Sequence, residues 1–186
     1  FWASSYEDKR PELTNAQRKM LSHYDNATLY NDSIVAQIVK RFQKQDAIVI
    51  YVPDHGEECY EENRGFICRN HSAEIDWPLA HYEFEIPFWI YCSPKYIRNH
   101  RDIYRQIRKA KDKRFMTDAL PHLLLYLAGI ETPTYKEEYN ILSPKYDEMR
   151  PRILKNSADY DKLRDAHLEK IKKEESKKVK KKERRN

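Results

Sequence analysis

No stretch of this sequence comes near the roughly 18 consecutive apolar residues that a membrane-spanning helix requires, and no apolar N-terminal segment resembles a secretion signal. Cysteine is sparse. Cys59, Cys68 and Cys92 are the only three, and none belongs to a CxxC pair, which excludes a zinc ribbon. A local bridge between Cys59 and Cys68 and a pair of buried thiols both fit that count. Internal repeats are absent, and so is an initiator methionine. The chain opens "FWASSYEDKRPE", aromatic from its first residue, which is the appearance expected of a cut inside a longer polypeptide. A generally basic surface is missing too. Residues 169–186, "EKIKKEESKKVKKKERRN", hold ten Lys/Arg against four Glu, so they carry +6 of a net +5 and leave −1 for everything else. The basic character belongs to a tail, which argues against a fold-wide nucleic-acid interface, and no nucleic-acid partner is expected.

What remains is enough for a domain with a core: 186 residues, 40% hydrophobic, with 14 tyrosines and 3 tryptophans. Apolar residues from Met20 through Tyr24, Ala27, Ile34, Val35 and Ile38 to Phe42 recur at helical spacing and predict one helix over 14–44. Residues 47–52 form a continuous β-branched run, as in a strand covered on both faces, and "EIPFWIYCS" (85–93) reads as a second buried strand. Ser93-Pro94 is an N-cap followed by proline, and the helix it opens is expected to reach about Lys111. Thr117 and Gly129 bound a further short helix. Strands alternating with helices predict an α/β sandwich with a largely parallel central sheet, residues 1–150 forming the domain and 151–186 a helical, strongly basic tail. Past Ile171 apolar residues nearly vanish, so fraying is expected there.

The chemistry concentrates in "AIVIYVPDHGEE", residues 47–58. In open α/β sheets ligands bind beyond the C-terminal ends of strands, and Asp54 and His55 stand at such an end between Pro53 and Gly56. A carboxylate and a neutral imidazole suit zinc, manganese or iron, although two ligands cannot close a site. An Asp–His hydrogen-bonded turn without metal is the plainer reading of the same four letters. Glu57 and Glu58 are either a general acid/base pair or supporting carboxylates.

Several further blocks stand in order around this motif. "YDNATLYNDSIV" (24–35), "YVPDHGEECYEE" (51–62), "RNH" (69–71), "YEFEIPFWIYCSPKY" (82–96) and "RFMTDALPHLLLYLAGI" (114–130) together resemble the C-terminal half of bacterial phosphoethanolamine transferases, lipopolysaccharide-modifying members of the alkaline phosphatase/sulfatase superfamily. The resemblance covers about residues 20–145 and implies a partial domain of that sandwich fold. It also implies a zinc-dependent (Zn2+) transfer of phosphoethanolamine through a phosphorylated threonine. The donor would be phosphatidylethanolamine and the acceptor lipid A, lipopolysaccharide core or another envelope glycan. The location implied is the bacterial inner membrane, reached through N-terminal helices outside this sequence, with the domain facing the periplasm. By the same resemblance Asp54 and His55 are zinc ligands and His71 contacts the substrate phosphate, with His81 the weaker match. The family's nucleophilic threonine and first zinc-ligand glutamate belong to its N-terminal half, so no catalytic nucleophile is expected among these 186 residues, which alone should be inactive. A periplasmic location would favour the Cys59–Cys68 bridge over free thiols, with Cys92 left reduced.

Other readings stay open. A sulfatase, phosphodiesterase or phosphoglycerol transferase would share the superfamily, and a binding module gripping nucleic acid or membrane through the tail would ignore Asp54 and His55. His122 lies in an apolar helix and reads as a core histidine, while His23, His100 and His167 read as surface residues. Trp77 stands in a polar loop where it could either pack or face lipid.

Overall fold

The long apolar periodicity becomes helix α1, Asn15–Phe42, in a computed structural model that describes residues 1–68, 74–155 and 157–183. A capping box opens α1. The Thr14 hydroxyl accepts from Gln17 N at 3.3 Å, while Gln17 Oε1 accepts from Thr14 N at 2.8 Å. Lys40 and Arg41 occupy the last turn, where the helix dipole favours cations. Burial is concentrated near the start of the helix, at Leu21 and Ser22; Met20, Ile34, Ile38 and Phe42 are exposed.

Four strands follow: β1 Ile48–Tyr51, β2 Glu58–Cys59, β3 Phe66–Cys68 and β4 Trp89–Cys92. Helix and strand are mixed along the chain, as the α/β class requires. The pairs formed among these four strands are antiparallel. β1 and β4 run antiparallel, with Ile48 opposite Cys92 and Tyr51 opposite Trp89, and β2 and β3 are antiparallel as well. The connection explains it. A parallel neighbour needs a crossover that returns to the starting end of the first strand, whereas the chain after β1 comes back beside its far end. β1 and β4 are half-buried, and the Tyr51 and Trp89 rings stack at 5.2 Å.

The chain divides into two units, residues 1–69 with 87–104 and residues 70–86 with 105–186. In the first, Tyr6, Leu13, Leu21, Cys59 and Tyr60 make the core, with Tyr24 packed against them. Ser93 is completely buried just after β4. Its hydroxyl donates to Gln45 O at 2.6 Å and accepts from Ala47 N at 3.3 Å and Tyr96 N at 3.0 Å, so one side chain clasps the start of β1 and caps helix α3, Pro94–Asn99. The helix expected to continue to Lys111 breaks at His100, whose backbone leaves the helical region (φ −126°, ψ 50°). Its ring stacks on Tyr96 at 4.3 Å and reaches Asp46 at 3.4 Å, and helix α4, Arg101–Ala110, starts afresh beyond it.

In the second unit helix α2 spans Trp77–Phe84, capped by Asp76 Oδ1 on Leu79 N at 3.0 Å. This places Trp77 in a helix rather than a loop. Helix α5, Leu120–Ala128, ends at Gly129, whose φ of +66° is the left-handed turn that glycine adopts without strain. Two short strands, β5 Ile153–Leu154 and β6 Ala158–Asp159, pair antiparallel before helix α6, Tyr160–Glu183. Ile75, Leu79, Ala80, Leu154 and Tyr160 form the core, with Trp77, Phe84 and Leu163 against it. α6 runs well past Ile171 rather than fraying: lysine and glutamate are strong helix formers, and Glu169 pairs with Lys173 one turn on at 3.5 Å. No described helix is long and apolar enough to cross a membrane.

At the start of α6, Asp161 accepts from Arg152 Nη2 at 2.5 Å and also from Arg114. The Arg152 hydrogen bond, with the charges of Arg152, Arg114 and Arg164 behind it, holds the Asp161 carboxyl below the usual carboxylate range against the opposing effect of burial. A carboxyl lowered by folding adds stability above its unfolded pKa of about 3.9 and loses it as pH falls through the folded value. Urea unfolding of Asp161→Asn is therefore expected to show lower stability at neutral pH and a shallower loss of stability below about pH 4 than the parent chain.

Candidate metal centre

β1 ends because Pro53 has no N–H to continue the ladder, and the chain turns at once through Asp54 and His55. The Asp54 side chain is 83% exposed and that of His55 23%. Contacts among the described residues orient them. His55 N donates to Asp54 Oδ1 at 3.2 Å, His55 Nδ1 donates to the Gly56 carbonyl at 2.7 Å, and His55 Nε2 faces Asp54 Oδ2 at 3.5 Å. In a neutral imidazole, a proton on Nδ1 leaves the lone pair on Nε2, the atom turned toward the carboxylate. Backbone carbonyls hold metal-ligating histidines in this way.

The separation fits a metal. Two ligands about 2.1 Å from zinc at tetrahedral angles lie about 3.4 Å apart, close to the 3.5 Å seen here. That separation is the length of one edge of such a tetrahedron. Among the described residues no group of three or more His, Cys, Asp or Glu side chains converges as a metal site, so the remaining corners are not filled from these residues.

The two glutamates part company. Glu57 is half-buried, while Glu58 is fully buried and pairs with Arg64 Nε at 2.5 Å, bracing the β2–β3 hairpin. A carboxylate buried against a guanidinium is a supporting group, not a general base for solvent-borne substrate. The chain then takes left-handed backbone at Tyr60 (φ 68°) and Glu62 (φ 51°), and the Tyr60 carbonyl accepts from Arg10 Nη2 at 2.6 Å.

α1 adds a residue that sequence periodicity marked only as apolar. Burial pushes the Tyr24 hydroxyl pKa up, and Cys59, Glu57, Asp25 and Glu61 push the same way. Tyr24 thus brings a protonated hydroxyl into the acidic surroundings of the motif loop. Its neighbour Asp25 accepts a hydrogen bond from Tyr6.

His71, expected to touch a phosphate, lies outside the described residues, as does the Cys68 side chain needed for a bridge to Cys59. β3 sets the Cys68 backbone opposite Glu58, offset from Cys59. Cys92 is a half-buried free thiol whose pKa burial raises. His81 is occupied structurally: on α2 it pairs with Glu85 at 3.0 Å and stacks on Trp77 at 5.5 Å. Nδ1 of His122 accepts from Lys136 N at 3.1 Å, so that histidine binds a backbone amide. His167 is half-buried, stacked on Trp77 at 5.2 Å.

Comparison with known proteins gives one family model, Sulfatase, matching residues 2–130. The phosphoethanolamine transferase EptC of Escherichia coli O18:K1:H7 (strain RS218 / NMEC) is 30% identical over 141 residues, covering 74% of this chain and 23% of that protein. The Kdo(2)-lipid A phosphoethanolamine 7''-transferase of Escherichia coli (strain K12) is 31% identical over 104 residues, 54% of this chain and 17% of the relative. This chain therefore spans about a quarter or less of the curated relatives it matches. Among solved structures, the C-terminal periplasmic domain of EcEptC from Escherichia coli in complex with Zn matches with a TM-score of 0.65 and 28% identity, over 81% of this chain and 42% of that one.

Burial and the bond to Asp25 push the Tyr6 pKa up to about 12. A raised tyrosine contributes stability below its unfolded pKa of about 10 and loses it as pH climbs through the folded value. Alkaline unfolding followed by circular dichroism is expected to set in between about pH 10 and pH 12, and Tyr6→Phe to make that limb shallower.

Proposed function

This chain belongs to the sulfatase family, and from that membership we propose that it is part of a metal-dependent phosphoethanolamine transferase. We take phosphatidylethanolamine as the donor and lipid A, lipopolysaccharide core or another envelope glycan as the acceptor. The observation that carries the reading is the Asp54–His55 pair, its ligand atoms 3.5 Å apart at the C-terminal end of β1. The Zn complex of the similar periplasmic domain supports zinc as the metal, and the names of the curated relatives support the transferred group. Residues 1–150 are read as the C-terminal half of the catalytic domain and 151–186 as its basic tail, at the periplasmic face of the inner membrane.

Asp54 and His55 would hold zinc, which when bound supplies a positive charge that offsets the negative charge of a phosphoryl group in transfer. The Gly56 carbonyl keeps His55 in the tautomer that can ligate. The nucleophilic threonine and the other ligands would come from the rest of the enzyme. His71 is assigned to the phosphate, as donor or general acid. The structural engagement of His81 with Glu85 and Trp77 supports choosing His71 over it.

The test uses the complete enzyme, zinc analysis and mass spectrometry of the lipid A acceptor. Asp54→Ala and His55→Ala are expected to lose zinc and transfer together. His71→Ala should keep zinc yet transfer roughly 100-fold more slowly, the scale of a lost general acid or oxyanion donor. His81→Ala should do much less. Release of free phosphoethanolamine to water with no modified acceptor would favour the hydrolase reading instead, and full zinc content in both ligand variants would remove the metal assignment.

A further inference from the structure

Helix α6 has two halves with different surroundings. Its first turns are anchored: Tyr160 donates to Glu85, Asp161 lies between Arg114 and Arg152, Leu163 packs on the core, and His167 stacks on Trp77. From Leu168 to Lys178 every residue is exposed. The helix nevertheless continues to Glu183, so an anchored rod projects about 20 Å beyond its last packed residue.

Its charges are arranged by face. At about 100° per residue, Lys170, Lys173 and Lys177 fall within about 60° of one another, flanked by Glu169 and Glu174. Leu168, Ile171 and Glu175 lie on the opposite side, and Lys172 and Lys178 lie off the lysine face. Residues 169–186 carry +6 while the other residues sum to −1, so attraction to an anionic partner is confined to this end of the chain. The same residues include no aromatic side chain on which a base could stack. Lysine ammonium groups are compact point charges that meet phosphate without base readout.

We propose that the lysine face of α6 docks on an anionic phospholipid surface, holding the domain at the membrane. The choice of lipid over nucleic acid rests on the lipid-directed function proposed above. Lipid headgroups form a continuous anionic plane, and a straight helix with one basic meridian can lie along it. Each lysine near such a surface contributes on the order of 1 kcal/mol, screened within about 8 Å at physiological salt.

The test is sedimentation of the full chain with phosphatidylcholine vesicles, plain or containing phosphatidylglycerol, across a salt series. Binding is expected only with phosphatidylglycerol and should weaken steeply with salt. Lys170→Gln/Lys177→Gln should lower the affinity by about 30-fold, and Lys172→Gln/Lys178→Gln, with the same loss of charge, by only a few-fold. Far-ultraviolet circular dichroism of both double variants checks that α6 is retained; a variant that loses helix is replaced by one ending at Leu168, which should not bind. No binding to phosphatidylglycerol vesicles would overturn the proposal. Equal losses for the two pairs, or tighter binding of duplex DNA at the same salt, would overturn it as well. The vesicles contain no zinc, donor or acceptor, so the result stands apart from the transferase reading.

Discussion

The buried hydroxyl of Ser93 joins three pieces of backbone at one point. It takes a carbonyl from Gln45 and amides from Ala47 and Tyr96, so the entry of β1, the exit of β4 and the first turn of α3 share one fixed point. Buried polar groups of this kind are stabilising only when fully bonded, and here the hydroxyl has one acceptor and two donors. Everything the candidate site needs is measured from that point. β1 has four residues, and Pro53 ends it. The position of Asp54 and His55 is then set by the clasp at one end of the strand and the proline at the other.

At that end the chain gathers negative charge. Asp54, Glu57 and Glu61 belong to the motif loop, and Asp25 with Tyr24 comes from α1; burial first, then Cys59, Glu57, Asp25 and Glu61, push the Tyr24 pKa up. Such a field draws cations and repels phosphate. Glu58 escapes this arrangement because Arg64 compensates it in the interior of the hairpin.

Local signals were legible. The Ser93-Pro94 cap, the stop at Gly129 and the β-branched run closed by Pro53 all follow from backbone preferences of single residues, and the helix start, helix end and strand end they predict are present within a few residues. The turn that directs Asp54 and His55 at each other was legible for the same reason. The antiparallel pairing of β1 with β4 was not, because it depends on where a distant segment returns. The two- and three-residue strands β2 and β3 have no period to detect. The break at His100 depends on Asp46, far away in sequence, and Tyr24 reads as one more apolar residue of a helix face until the motif loop is placed beside it.

The first unit is discontinuous, and that has a consequence during synthesis. The Ala47 amide waits for the Ser93 hydroxyl 46 residues downstream, and residues 70–86 between them belong to the other unit. As the chain emerges, β1 is an apolar, β-branched segment with both edges unsatisfied until β4 has been made. Closing so long a loop is slow compared with forming helices, so α1 should be in place while its neighbouring strand is still open. The interval between the emergence of Tyr51 and that of Cys92 is therefore when the nascent chain is most exposed to mispairing, and when a chaperone that covers extended apolar segments would matter most.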